Sequence, residues 1–354
     1  MVRSFLIRVL LLPFSLLYGI VVAIRNFLYK NNFLNSIQFS IPVISVGNLT
    51  VGGAGKSPHV EYLIQTLDPY LDVTTLSRGY KRKTKGFMEV LPQHTAQIAG
   101  DEPVQFKRKF PKIGVYVDES RVFGIPRIIT QRPGTQVVIL DDAFQHLSVK
   151  PGLNILLTEY DRPFTRDWLL PSGRLREWRA AYKRADIIII SKCPFDLTEE
   201  ERQAMIEEVS PLPDQKIYFS YYEYGAPYDL FSGQRIQLQE DHDVLLVSGI
   251  ARTDYLMQYL EEKVGDIKVL EFEDHHDYTP LDVSQIEVHF KTMTPGKTIV
   301  LTTEKDAIRL QGHRDFLRKK DISVYALPVK VTFHGEDKDL FDQEIKSFLM
   351  QFEA

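Results

Sequence analysis

From Ile41 onward, short β-branched runs alternate with stretches of helical periodicity, the pattern of an α/β protein built on a largely parallel sheet. The predicted strands are PVISVGN from Pro42, DVTTLS from Asp72, IGVYV from Ile113, TQVVIL from Thr135, LNILLT from Leu153 and ADIIII from Ala185. Their near-continuous apolar character suits strands covered on both faces. After Pro211 the text changes. KIYFSYYEYGAPYDLFSGQRIQL reads as two aromatic strands around a turn, a hinge ribbon rather than sheet core. A second α/β set follows, with strands in DVLLVSG, IKVLEF, KTIVLTT and ISVYALPV and a closing helix from about Asp337. The expected division is an anchoring helical segment over 1–35, a P-loop domain over 36–215, the ribbon over 216–240 and a smaller α/β domain over 241–354.

The first thirty residues form an outlier, because Val9 to Ile24 carries no charge while Arg3, Arg8, Arg25 and Lys30 flank it. A cleaved signal peptide fits poorly, since no small-residue cleavage pattern follows. A spanning helix needs about 20 apolar residues, and this run is shorter and holds Pro13 and Gly19. Projected at about 100° per residue, Arg3, Ser4, Arg8, Ser15, Tyr18, Arg25, Asn26 and Lys30 share half the circumference, with Ile7, Leu11 and Val22 intruding. The other half is aliphatic or aromatic. Pro13 should kink the helix. An interfacial anchor is the favoured expectation, with a buried core helix as the bland alternative.

Composition then narrows the chemistry. With 354 residues, 44% of them hydrophobic, the chain can bury two cores. Its net charge of -4 gives no global attraction to nucleic acid. Cys193 is the only cysteine, so an intramolecular disulfide and a cysteine metal site are excluded.

The strongest chemical signal lies between the first predicted strand and a helix, in LTVGGAGKSPHVEYL. A phosphate cradle requires small residues whose backbone N–H groups turn toward phosphate oxygens, a lysine for the β and γ phosphates, and a hydroxyl for magnesium. Thr50, Val51, Gly52, Gly53, Ala54, Gly55, Lys56 and Ser57 supply that loop, with Thr50 standing where the pattern wants glycine. The strand VVIL ends in Asp141 and Asp142, where a P-loop enzyme keeps its magnesium carboxylate. The bland alternative there is a helix cap. Arg174, Arg176 and Glu177 in PSGRLREW offer further charge, and Arg78, Tyr80, Lys81, Arg82, Lys83 and Lys85 make a basic loop. His275 and His276 lack helical metal-ligand spacing. Asp101, in GDEP, meets His275 only if the domains face one another.

Taken in order, SVGNLTVGGAGKSP, LSRGY, GDEP, LDDAFQH, LPSGRLRE, SGIA, EDHHDY and TEKDA resemble the tetraacyldisaccharide 4'-kinases of lipid A biosynthesis over nearly the whole chain. The resemblance implies ATP and Mg2+ as cofactors, and phosphorylation of the 4'-hydroxyl of a tetraacylated glucosamine disaccharide 1-phosphate. It implies a membrane-embedded substrate and a peripheral or monotopic place on the cytoplasmic face of the bacterial inner membrane. It also assigns Lys56 and Ser57 to phosphate and magnesium, and Asp141, Asp142 and Glu177 to the acidic metal or catalytic set. Asp101 becomes the general base and His275 its partner. Arg176 is expected at the nucleotide, and Tyr80, Gln145 and His146 at the substrate. Ala143 stands where the family commonly has glycine, and SGRLRE departs from its frequent PLRE.

Two rival readings remain at this point. A P-loop GTPase or metallochaperone would read guanine through N-K-x-D, but SKCP places Pro194 where the aspartate belongs. A non-catalytic nucleotide-binding scaffold on the membrane has no need for Asp101 and His275. A further expectation is that nucleotide binding swings the second domain inward, bringing His275 to Asp101.

Overall fold

The computed structural model describes residues 2–352, with side chains of the first helix described from residue 8 onward. The expected places of Arg3, Ser4 and Ile7 on the polar half therefore lie outside the described side chains. The strands in chain order are β1 (Val43–Asn48), β2 (Val73–Ser77), β3 (Met88–Glu89), β4 (Gly114–Val117), β5 (Val137–Asp141), β6 (Leu153–Glu159) and β7 (Ile187–Ser191). After them come β8 (Lys216–Tyr224), β9 (Tyr228–Asp229), β10 (Asp243–Ser248), β11 (Ile267–Glu271), β12 (Thr298–Thr303), β13 (Val324–Leu327) and β14 (Val329–Phe333).

Nine strands form one sheet in the order β14-β8-β7-β6-β1-β5-β2-β4-β3, and five form a second in the order β11-β10-β12-β13-β9. Among the described residues only the edge strands β3, β14 and β9 run antiparallel to their neighbours. Every residue of β1, β2, β4, β5, β6 and β7 is buried, as strands with helices on both faces must be. The nucleotide loop leaves β1, which pairs with β5 on one side and β6 on the other. This puts it at the carboxyl ends of the parallel strands, where open α/β sheets bind ligands.

The expected ribbon is corrected by these pairings. β8 pairs parallel with β7 and lies in the large sheet, with Phe219 and Ser220 fully buried. Its antiparallel partner is the distant β14, not the next segment of chain. ISVYALPV is therefore two strands in two sheets, divided at Pro328, which has no N–H to continue the ladder. The closing helix Asp337–Gln351 also returns to the large sheet, where Phe341 and Ile345 join the core of Val60, Tyr218 and Phe333. Along the chain the small sheet thus runs from β9 to β13, and residues 329–352 leave the unit expected over 241–354.

The first helix, α1 (Val2–Lys30), runs unbroken through Pro13. One stripe of it faces the body: Ser15, Gly19 and Val22 are buried, and Tyr18, Arg25 and Asn26 partly so. Phe14, Leu17, Ile20, Val21, Ile24 and Phe27 point away and are more than half exposed. Ser15, Tyr18, Arg25 and Asn26 are therefore spent on the protein, while Arg8 and Lys30 stay exposed and the apolar side is the outer one. Among the described residues this is one helix long and apolar enough to cross a membrane, over Arg8–Lys30.

Candidate active site

The nucleotide loop opens into helix α2 (Lys56–Leu67), whose amino terminus and free N–H groups face a cleft of about 450 Å³ between the two sheets. Thr50 to Ser57 all line the cleft. Gly55 sits at φ 83°, in the left-handed region, and a side chain there would also run into the Tyr222 hydroxyl. Only glycine suits both demands.

Lys56 donates to Asn48 Oδ1 at 3.1 Å and lies 3.7 Å from Asp142 Oδ1. Arg176 grips Asp142 with both terminal nitrogens, at 3.1 and 2.8 Å, and also donates to the Asn48 carbonyl at 2.9 Å. Burial alone would raise the Asp142 carboxyl, yet Lys56 and Arg176 hold it well below the usual carboxylate range. Its neighbour behaves oppositely. Burial, reinforced by the negative charges of Glu102 and Asp142, pushes Asp141 well above its ordinary value, and both of its carboxylate oxygens are buried without a partner.

Ser57 donates to Glu102 at 2.7 Å. With Asp141 and Asp142 this gives an all-oxygen set suited to a hard divalent cation. Among the described residues no three His, Cys, Asp or Glu side chains form a ready-made metal cage. Magnesium needs none, because it takes one or two carboxylates and completes its shell with water and phosphate oxygens. The partnerless Asp141 carboxylate is the observation that fits such an ion.

The second sheet brings the rest. His275 lies beyond the end of β11, in the left-handed region at φ 58°, and its Nδ1 donates to Asp101 Oδ2 at 2.8 Å. Lys305 and Arg309, on the helix Glu304–Leu310 after β12, complete the surroundings. Lys305 lies 2.7 Å from Glu102, and Arg309 lies 3.8 Å from Asp101. Burial would raise Asp101, but the His275 hydrogen bond and the charges of Lys305 and Arg309 hold it well below the usual range. His275 lines the cleft, whereas Asp101 is buried behind it. The two residues are already joined across the sheets, so in this structure their meeting requires no inward swing.

The other expected residues divide sharply. Tyr80 lines the cleft with its ring centroid 5.0 Å from that of His275 and the two rings inclined at 65°. Gln145 sits away from the cleft wall and donates to the Asn48 carbonyl at 2.9 Å, sharing that acceptor with Arg176. His146 also lies off the wall, pushed down to about 3 by burial and by the charge of Arg121, so it stays neutral. Glu177 is the clear correction. It is fully buried under α1 and sealed by Arg184 at 3.0 Å, Asn26 at 2.7 Å and Arg25 at 3.3 Å, which leaves no lone pair directed at a cleft metal.

Sequence reasoning passed over Asn48, Glu102, Lys305, Arg309 and Lys192. Glu102 adjoins Asp101 in GDEP and Lys305 stands in TEKDA, so motif position was the available signal. Lys192 of SKCP lines the cleft and is paired with Glu159 at 2.6 Å.

Comparisons with known proteins agree in one direction. The family model described as tetraacyldisaccharide-1-P 4'-kinase matches residues 7–349. A tetraacyldisaccharide 4'-kinase of Phocaeicola vulgatus is 43% identical over 345 residues, covering 96% of this chain and 94% of its own. One of Flavobacterium johnsoniae is 39% identical over 349 residues, covering 98% of both chains. The crystal structure of the "apo" form of LpxK from Aquifex aeolicus in complex with ATP superposes with a TM-score of 0.74 at 31% identity, over 98% of this chain and 100% of that one.

Proposed function

The chain belongs to the tetraacyldisaccharide-1-P 4'-kinase family, and from that premise we propose how its cleft carries the ATP γ-phosphate to the 4'-hydroxyl of the acylated disaccharide 1-phosphate in lipid A biosynthesis. The GTPase, metallochaperone and scaffold alternatives fall away with family membership. The nucleotide phosphates rest on backbone N–H groups of Gly52, Gly53, Gly55, Lys56 and Ser57, the Ala54 N–H being held by the Gly52 carbonyl, with Lys56 and Arg176 neutralising charge. The apolar wall made by Tyr222, Tyr224, Leu256 and Leu327 takes the adenine face. Magnesium would be held by Ser57 and the Asp141 and Asp142 carboxylates, with Glu102 holding the Ser57 hydroxyl, and would offset phosphate charge.

The observation that carries the reading is the Asp101–His275 pair, with His275 on the wall of the cleft that the nucleotide loop also lines and Asp101 buried behind it. Because Nδ1 of His275 is committed to Asp101, Nε2, which lies 3.9 Å from Asp274 Oδ1, is the ring nitrogen left to face substrate. Asp101, surrounded by His275, Lys305 and Arg309, is a weak base. The division of labour favoured is therefore that His275 Nε2 receives the hydroxyl proton and Asp101 fixes the ring and its tautomer. This exchanges the roles that the resemblance alone would give them. A loose phosphoryl-transfer transition state demands little of the base, so a weakly basic pair suffices.

The outer face of α1 supports a place on the cytoplasmic membrane surface, next to a substrate that stays in the bilayer. A helix docked on the body from Ser15 to Asn26 lies along the protein rather than crossing away from it. The test is transfer of label from γ-labelled ATP, with magnesium, to the disaccharide 1-phosphate. Label should enter the lipid with the native chain, vanish with Lys56→Ala and fall about 100-fold or more with His275→Ala. Undiminished transfer by Lys56→Ala would overturn the reading.

A further inference from the structure

The nucleotide loop is braced from outside its own sheet. Its entry limb, Leu49 to Val51, is edged by Arg174 to Arg176 as a short antiparallel pair. Arg176 N–H donates to the Leu49 carbonyl at 2.7 Å, Val51 N–H donates to the Arg174 carbonyl at 2.8 Å, and Thr50 faces Leu175. The other side of this brace carries α1. The Tyr18 hydroxyl donates to the Arg176 carbonyl at 2.8 Å, Ser15 donates to the Leu169 carbonyl at 3.0 Å, and the Trp178 indole N–H donates to the Gly19 carbonyl at 2.8 Å. A side chain at Gly19 would run into the Trp178 ring, so helix and brace are in direct van der Waals contact.

Arg176 is consequently held at three places. Its N–H is tied to the loop limb, its carbonyl to Tyr18, and its guanidinium to Asp142 and the Asn48 carbonyl. We propose that Tyr18 is a positioning residue for Arg176, so that the seating of α1 on the body sets the ATP affinity of a cleft that α1 does not line. The inference rests on the kinase reading above and extends it to the helix whose outer face is apolar. An arginine on an unbraced loop spends rotamer and backbone freedom each time it meets a phosphate. The Tyr18 hydrogen bond removes part of that cost beforehand.

The test uses the full-length chain. ATP binding is measured by calorimetry, and ATP turnover with the disaccharide 1-phosphate in anionic lipid vesicles, for the native protein and Tyr18→Phe. Loss of one part-buried hydrogen bond predicts that the Kd and KM for ATP rise about fivefold while kcat stays within about twofold. Vesicle co-sedimentation should not move, and the unfolding midpoint should fall by no more than a few degrees, about what one hydrogen bond contributes. In an Arg176→Ala background, Tyr18→Phe should add nothing. Native ATP affinity in Tyr18→Phe overturns the proposal, as does a lower kcat at unchanged affinity, which is what fewer folded molecules would give. Should Tyr18→Phe fail to fold, Trp178→Phe, which removes the donor to Gly19, carries the same two outcomes. Absence of lipid labelling by the native protein would count against the kinase reading alone, since calorimetry still decides the role of Tyr18.

Discussion

Lys305 Nζ lies 2.7 Å from Glu102 Oε1, the same oxygen to which Ser57 of the nucleotide loop donates at 2.7 Å. One carboxylate oxygen thus joins the two bodies at the floor of the cleft. Burial would raise Glu102, but Lys305 and Lys56 draw it below its ordinary value. Lys305→Met removes the larger of these charges, so burial should win and the Glu102 carboxyl should move up. The acid limb of the pH profile of kcat/KM should then shift to higher pH, with activity partly restored in alkaline buffer. An acid limb that does not move would exclude Glu102 from the ionisations that govern turnover.

Glu61 of α2 is buried, accepts from Gln105 at 2.8 Å and pairs with Lys109 at 2.7 Å. Burial outweighs Lys109 and pushes the carboxyl up to about 7. A folded-state value above the unfolded one means that the folded chain holds the proton more tightly. Stability from this group is therefore greatest at acid pH, and it declines as pH rises from about 4.5 toward 7, by on the order of 3 kcal/mol. Glu61→Gln should remove that slope. Urea unfolding at pH 5 and pH 8 should show the variant gaining on the native protein at the higher pH, and parallel curves would contradict the prediction.

Glu177 lies beneath α1 with Arg184, Arg25 and Asn26 around it. Glu177→Gln should leave the magnesium concentration for half-maximal activity unchanged, whereas Asp142→Asn should raise it about tenfold. The same Glu177 variant should unfold more easily by about 3 kcal/mol, because arginine charge is left without its buried counter-ion. A shifted magnesium requirement in Glu177→Gln would return that carboxylate to the metal set.

Leu17 is 62% exposed and Val21 60% exposed on the outer side of α1, away from every hydrogen bond that docks the helix. The double change Leu17→Glu and Val21→Glu should move the protein from the vesicle pellet to the supernatant, with ATP affinity and unfolding midpoint retained. Continued sedimentation with vesicles would show that another surface meets the lipid.

Much of the fold was legible because buried parallel strands must be nearly all apolar, as Ile187 to Ile190 are. The loop from Thr50 to Ser57 was legible because phosphate contact restricts which residues fit. Strand partnership was not. Nothing in Val329 to Phe333 declares that it pairs with Tyr224 to Ser220 rather than with its own sequence neighbours, since an edge strand takes its partner from tertiary packing. Glu177 misled for a related reason. A carboxylate beside Arg176 reads as site chemistry until α1 is folded over it, and helix docking over that distance leaves no local signal.

The chain crosses to the small sheet beside Gly225 and returns at Pro328, and the Gly225 N–H donates to the Pro328 carbonyl at 2.9 Å. Departure and return therefore share one seam, which makes the small sheet a guest spliced into a host whose last strand is still to come. On the ribosome, β8 must wait as an unpaired aromatic edge until the whole guest has been made and β14 can cover it. During that interval α1, which precedes every strand, has already been made with its apolar face outward. The order of synthesis thus leaves two apolar surfaces, the outer face of α1 and the free edge of β8, uncovered at the same time until β14 arrives.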